Sequence, residues 1–432
     1  MDSFTPDVAG ALDGPAWLRT RRSAAAELLA ATPRPTADDE VWRYSRIGEL
    51  DLSGLRPVGG GAAAASERSL RDEPCIVDAP AARLTLVDGV LREATVDPDL
   101  VAAGVYVGAL VDAPGAEQLL GSAMTEPTDA FAIMNDAYVV DAVAVVVPAG
   151  VTVGGPIVIE HLVVSDAVAV FPRLVISAGD DAQVRVVEVY RSGESRAFVG
   201  PVVELVAAPA ARVGYLAVQQ LGRATWQVGS VVARAEAAAS VHASLAGLGG
   251  DYARVRTDCR LVGRGATGTI TALYFGDGTQ MLDFRTFQDH AAPDTSSTLL
   301  FKGAVDDESA SVYTGLIRVR KHARGTNALQ TNRNIKLSEA AWAESVPNLE
   351  IENNDVRCKH ESAVSPIDAD QRFYLESRGV PPQVAERLVV QGFFREVADH
   401  LAVPEVRATL DAAVAAKLDK LSVASEGERA GR

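Results

Sequence analysis

A chain of 432 residues, 48% apolar and 23% charged, has the composition of a soluble globular protein with room for two or three domains. Its formal net charge of −16 disfavours nucleic acid and anionic membrane surfaces, both of which select for Lys and Arg. Cys75, Cys259 and Cys358 are too scattered for a disulfide framework or a CxxC motif. The first residues lack the basic and apolar stretches of a secretory signal, and no apolar run approaches the roughly 18 residues of a membrane span, so a cytoplasmic protein in a reducing compartment is expected.

The N-terminal region, 1–138, reads as helical and then mixed α/β. Apolar residues over 16–30 fall at helical spacing, and Pro33 and Pro35 stop that helix. Glu40-Val41-Trp42-Arg43-Tyr44 follows, and then a Gly/Ala stretch over 59–65 that predicts a flexible connection. From 139 to 365 the chain is a succession of strand-like runs rich in Val, Ile and Thr, such as 143–147, 157–159 and 174–176. Small-residue hinges recur at 207–210, 235–239, 263–268, 305–308 and 339–341, about 28 to 41 residues apart, in or near the period range of solenoids. The pattern predicts a coil of stacked strands, each burying its inner face against the coils above and below. A β-sandwich is the competing arrangement, and the length of the strand region favours the coil. The region 366–421 is helical. Pro366 fits a first turn, Gly379 fits the position after a helix end, and Val384, Leu388, Val389, Phe393, Val397 and Leu401 form an apolar stripe. A third helix is expected from Pro404 to about Leu421, and 422–432 as a disordered tail.

Gly263-Arg264-Gly265-Ala266-Thr267-Gly268 has the form of a dinucleotide-binding fingerprint, but a strand-like segment follows where that fingerprint needs a helix. A Gly-Lys dipeptide and a GxSxG elbow are both absent, so neither a Walker-type phosphate loop nor a serine hydrolase is indicated. Asp306-Asp307 reads as a solvated turn, and the basic run over 318–324 as a solvated strand face. His161, His242, His322 and His400 are isolated, and His290, just upstream of 294–298, is given a structural role. In an extended strand, Val356, Cys358 and His360 share one face, while Arg357, Lys359 and Glu361 point the other way. A thiolate and an imidazole on one face suit iron or an iron–sulfur cluster, but two ligands do not fill a site that takes about four. The remainder would come from elsewhere in the fold or across an interface. The alternative is that Val356 and Cys358 are core and His360 is hydrogen-bonded inside.

Ser345-Val346-Pro347-Asn348-Leu349-Glu350-Ile351, then Asp355-Val356-Arg357-Cys358-Lys359-His360, then the segment 368–379, closely resemble the C-terminal signature of the SufB/SufD family. Glu40-Val41-Trp42-Arg43-Tyr44, the segments 132–137 and 147–151, Lys302-Gly303 and the segment 326–333 also fit, so the resemblance covers nearly the whole chain. It implies a mainly β fold, a right-handed parallel β-helix between an N-terminal α/β region and a C-terminal helical domain. It implies a non-catalytic scaffold subunit that pairs with a SufB-like subunit and carries a SufC-like ATPase on its C-terminal helices. A cysteine-derived sulfur donor system supplies that complex, a transient iron–sulfur cluster is shared with the partner, and a reduced flavin is a further implied cofactor. In SufD members the residue matching His360 is the key one. Those members usually carry Cys-x-His-Gly-Ala, whereas Glu361-Ser362-Ala363 follows His360 here, a His-Glu pair resembling SufB. Chain length and the Cys-x-His spacing keep the resemblance with SufD, and Glu361 joins Cys358 and His360 as a candidate ligand. A β-helix enzyme acting on polysaccharide and a purely structural partner of SufB are the competing functions.

Overall fold

Segments in which Val, Ile and Thr recur without a 3.6-residue rhythm fold as strands, because branched side chains pack well on a pleated surface and lose rotamer freedom in a helix. In the computed structural model, which describes residues 3–57, 70 and 73–430, strands make up 42% of the chain and helices 23%, a mainly β fold as expected. One sheet contains Ala142–Val147, Arg173–Ala178, Val202–Ala207, Thr225–Ala235, Tyr252–Leu261, Met281–His290, Ala310–Val319 and Trp342–Ile351. The facing sheet contains Ile157–Val163, Gln183–Ser192, Arg212–Gln220, Ser240–Gly247, Thr267–Gly276, Ser296–Val305, Thr326–Lys336 and Val356–Pro366. The chain alternates between the two sheets, and each of these strands lies parallel to its counterpart one turn later. The result is a β-solenoid of about eight turns, not a sandwich. Ala82–Val87 also joins the second sheet, parallel to Ile157–Val163, so the N-terminal region contributes to the coil.

Trp226 lies beside Tyr252 and Ala310 beside Trp342, so one turn takes between 26 and 32 residues. The hinges at 305–308 and 339–341 sit at the opposite corner from those at 207–210, 235–239 and 263–268. Mixing two corners is what stretched their apparent spacing. At the first corner Gly150, Asp181, Ala210, Ala238, Gly265, Asp294 and Gly325 all have positive φ. The N–H of each donates to a carbonyl of the next turn's corner, as in Ala210 to Ala237 at 2.9 Å and Gly325 to Asp355 at 2.8 Å. Gly265 is thus one step of a corner ladder, and a Cβ on Gly263 would fall 1.9 Å from the Ala237 nitrogen. Close backbone stacking explains the glycine pattern that resembled a nucleotide fingerprint.

The inner faces, including Val143, Leu174, Ile176, Val186, Val213, Ile270 and Leu299, form one continuous core. The outer face of the first sheet is covered by N-terminal segments, with Phe4, Trp42, Phe131 and Tyr138 packed among Phe171, Phe198 and Tyr252. The outer face of the second is covered by the helices Pro382–Ala398 and Arg407–Ala430. Val390, Phe394 and Val397 bury themselves there against Val187, Leu216 and Phe275, each side chain contributing ~1.5–3 kcal/mol. Strands covered on both faces read as near-continuous apolar runs, and Thr326–Lys336, less covered, alternates buried with exposed residues.

Most helix ends follow the sequence signals. The helix Ala16–Ala31 stops before Pro33, and Gly379, at φ 87°, terminates Ala369–Ser377 with its N–H bonded to the Glu376 carbonyl. Pro366 instead closes the strand Val356–Pro366, because Asp368 caps the helix by accepting from the N–H groups of Asp370 and Gln371. The last helix runs to Ala430, past the expected end near Leu421. Of the tail expected over 422–432, the final two residues lie outside the described residues, as does the Gly/Ala connection over 59–65.

Candidate functional site

Every turn of a solenoid is built on its predecessor, so the final turn has a neighbour on one side only. Trp342–Ile351 pairs with Ala310–Val319, and Val356–Pro366 with Thr326–Lys336; among the described residues no strand pairs with their far edges. Register fixes which side chains face inward. Ile317 is matched by Leu349 and Val319 by Ile351 on one sheet, and Ala328 by Cys358, Gln330 by His360 and Asn332 by Ser362 on the other. In earlier turns such positions are buried. Here Leu349, Ile351 and Val364 are 37%, 43% and 40% exposed, and the inner face of the last turn opens to solvent.

Cys358 and His360 are both on this open face, about 7 Å apart along the strand. Cys358 is half-buried against Ile317, Val319, Ala323 and Ala328, and burial pushes its thiol above the usual range. His360 is exposed. Glu361 lies on the opposite face. Its hydrogen bond and ion pair with Lys359, joined by Arg333 at 3.7 Å, hold its carboxyl below the usual carboxylate range. It lines a separate cleft of about 1100 Å3, with Lys302, Arg333, Tyr374, Leu388 and Phe393, between the second sheet and the C-terminal helices. The structure therefore brings Cys358 and His360 together and sets Glu361 apart. Among the described residues, no three His, Cys, Asp or Glu side chains gather as a metal site. What the open face offers is one thiol and one imidazole, an incomplete donor set that a second surface could complete.

Directly beneath the open turn lies a layer that sequence reading missed. Leu299, Phe301 and Gly303 of one turn are succeeded by Gln330, Asn332 and Asn334 in the next, so the interior changes from apolar to amide. Asn334 accepts from the Tyr274 hydroxyl at 2.7 Å, Asn332 donates to that hydroxyl at 3.0 Å, and the two amides bond each other at 3.0 Å. Gln330 is 1% exposed, and neither its Oε1 nor its Nε2 has a partner. Two glycines make room: a Cβ on Gly303 would fall 1.9 Å from a Tyr274 ring carbon, and one on Gly315 would fall 2.4 Å from Gln330 Nε2. The alternation of Gln330, Asn332 and Asn334 was the available signal.

The other singled-out residues have structural duties. Trp42 lies under the Arg254 guanidinium at 3.9 Å. Asn135 donates to the Pro172 and Gly200 carbonyls at 2.7 Å each, tying helix Ala130–Tyr138 to two successive turns. Lys302 anchors helix Pro382–Ala398 through the Phe393 carbonyl at 3.0 Å and the Glu396 carboxylate. In the basic run, Arg318 pairs with Glu350 and Arg320 with Asp289. Asp307 sits in a turn and accepts from the Gly278 N–H at 2.8 Å. Cys259 is buried, its thiol pushed up to about 12.

Comparison with known proteins bears on this geometry. The family model for the SUF system FeS cluster assembly SufBD core domain matches residues 161–393. An iron–sulfur cluster assembly SufBD family protein of Mycobacterium tuberculosis is 32% identical over 396 residues, covering 89% of this chain and 89% of that protein. The iron–sulfur cluster assembly protein SufD of Bacillus subtilis is 26% identical over 420 residues, 94% of each chain. SufD of Escherichia coli is 35% identical over 154 residues, 36% of each.

Proposed function

The chain belongs to the SufBD family of the SUF iron–sulfur cluster assembly system, and from that premise we propose that it is a SufD-like, non-catalytic scaffold subunit whose open last turn meets a SufB-like partner, so that a nascent cluster forms at the joint. The observation that carries this reading is the open end of the solenoid, where Cys358 and His360 share the inner face of a last turn whose two far strand edges pair with no strand among the described residues. An exposed edge of 10 or 11 residues invites pairing with another chain. The partner would supply the missing donors, and the cluster is cargo held only while both surfaces meet.

The ATPase of the complex would dock on the C-terminal helices. Phe373 and Tyr374 are 71% and 58% exposed there, and Val384 and Leu388 nearly half, an apolar surface of the kind that marks a protein contact. The chain lacks a Walker-type loop of its own, which leaves ATP hydrolysis to the partner. Glu361, on the final strand and ion-paired with Lys359 and Arg333, lines a cleft beside that surface together with Tyr374 and Leu388.

The test is cluster formation in the reconstituted complex with His360→Ala. Cluster yield should fall by about tenfold or more while size-exclusion chromatography shows the subunits still assembled. An unchanged yield would remove His360 from the site and favour an inert structural partner.

A further inference from the structure

The unpartnered amide beneath His360 calls for an explanation. Gln330 and His360 are register partners on adjacent parallel strands, and both face inward. Adjacent strands are separated by about 4.8 Å, within reach of a glutamine side chain. Leaving a buried amide without hydrogen bonds is destabilising, and a core position of this kind is ordinarily filled by an apolar side chain. One turn earlier the same column holds Leu299, which is fully buried. Asn332 and Asn334 find partners in each other and in Tyr274, so the amide layer as a whole is not starved of them. Gln330 alone remains unsatisfied at both ends, with glycine at 315 leaving space for its head group.

We propose that Gln330 is the positioning residue of His360: its amide oxygen accepts the N–H of one imidazole nitrogen, which leaves the other nitrogen unprotonated and turned toward the open end. This rests on the reading of His360 as a cluster-assembly residue. A histidine that binds metal through one nitrogen generally donates its other N–H to a fixed acceptor, which sets the tautomer and the ring orientation. Gln330 is the inward side chain one step below His360 in its column, and it has an acceptor to spare. Closure of the open end by a partner would press the exposed ring down onto this amide. Gln330 would then trade stability in the lone subunit for geometry in the assembled one.

The experiment uses the full chain and its reconstituted complex. Gln330→Met conserves volume and removes the unsatisfied amide; Gln330→Glu keeps an acceptor oxygen in the same place. Gln330→Met should unfold at a higher temperature than the parent yet lower cluster yield in the complex by about tenfold, and Gln330→Glu should recover most of that yield. Nitrogen-15 spectra of histidine-labelled complex, assigned with His360→Ala, should show one dominant His360 tautomer in the parent and in Gln330→Glu, and a mixture in Gln330→Met. A Gln330→Met variant that is destabilised, with yield and tautomer unchanged, overturns the proposal and makes Gln330 a packing residue. The two readings fail separately. If His360→Ala leaves yield unchanged, the role of His360 is wrong. If His360→Ala lowers yield and Gln330→Met does not, only the role of Gln330 is wrong.

Discussion

His290 shows how a residue that invites a catalytic reading can be structural. Its Nδ1 and Nε2 lie 2.8 Å from the hydroxyls of Thr295 and Ser297, inside the fold, and burial lowers its pKa to about 4. An unfolded histidine takes up its proton near 6.5, whereas this one resists until about 4. Between those values the unfolded state binds more protons, so stability rises with pH across the window and is lost as pH falls from 6.5 toward 4. His290→Gln, which keeps a donor and an acceptor but cannot titrate, should flatten that loss by on the order of 2–3 kcal/mol, as read from urea unfolding at pH 7 and pH 4.5. Equal losses in both proteins would assign the acid sensitivity to other groups, His242 among them, whose pKa burial also lowers to about 4. The same scale explains why the motifs shared with the family are mostly architectural: Trp42, Asn135 and Lys302 each fasten a helix or loop to the coil.

Between elements, one fastening is a buried charge cluster. Arg173, with no exposed side chain, donates to Asp136 at 2.9 Å and to Glu204 at 2.5 Å, joining helix Ala130–Tyr138 to two turns of the first sheet. Glu204 also accepts three N–H groups, from Gly121, Ala123 and Met124, and Asp136 has a second arginine in Arg21. Removing one partner of a buried ion pair costs about 3–5 kcal/mol. Arg173→Leu should fall at the lower end of that range, since both acids keep other partners; a loss under about 1 kcal/mol in denaturant unfolding would mean that the cluster is not a clamp. None of this was legible in the sequence, because the meeting of Arg173 with Glu204 depends on register between turns, and register depends on corner lengths that vary. The strand content was legible from runs rich in Val, Ile and Thr, the coil from the recurring small-residue hinges, and the shared face of Cys358 and His360 from the two-residue period of a strand; none of these needs the register between turns. The assignment of Gln330 to the place below His360 needed the 30-residue offset of the last turn, which no local pattern encodes.

At the scale of the whole molecule, the coil is well covered by its helices on both outer sides and unfinished at one end. Leu349, inward-facing and 37% exposed on the final strand of the first sheet, should tolerate Leu349→Lys without loss of the fold. In a mixture with the SufB-like subunit, the same substitution should weaken pairing by about tenfold or more, because a buried lysine at a joint lacks a partner for its charge. Analytical ultracentrifugation reads the outcome, and undiminished pairing would place the joint elsewhere. A turn with company on one side gains only part of the stacking energy that holds the others, and it is the first to loosen. Cys358 and His360 lie on that turn, with neighbours from one side only. If the proposed role holds, readiness to receive iron and sulfide would be coupled to having been met: an orphan subunit would carry loosely held donors, and the arrival of a second surface would both complete the donor set and freeze it in place.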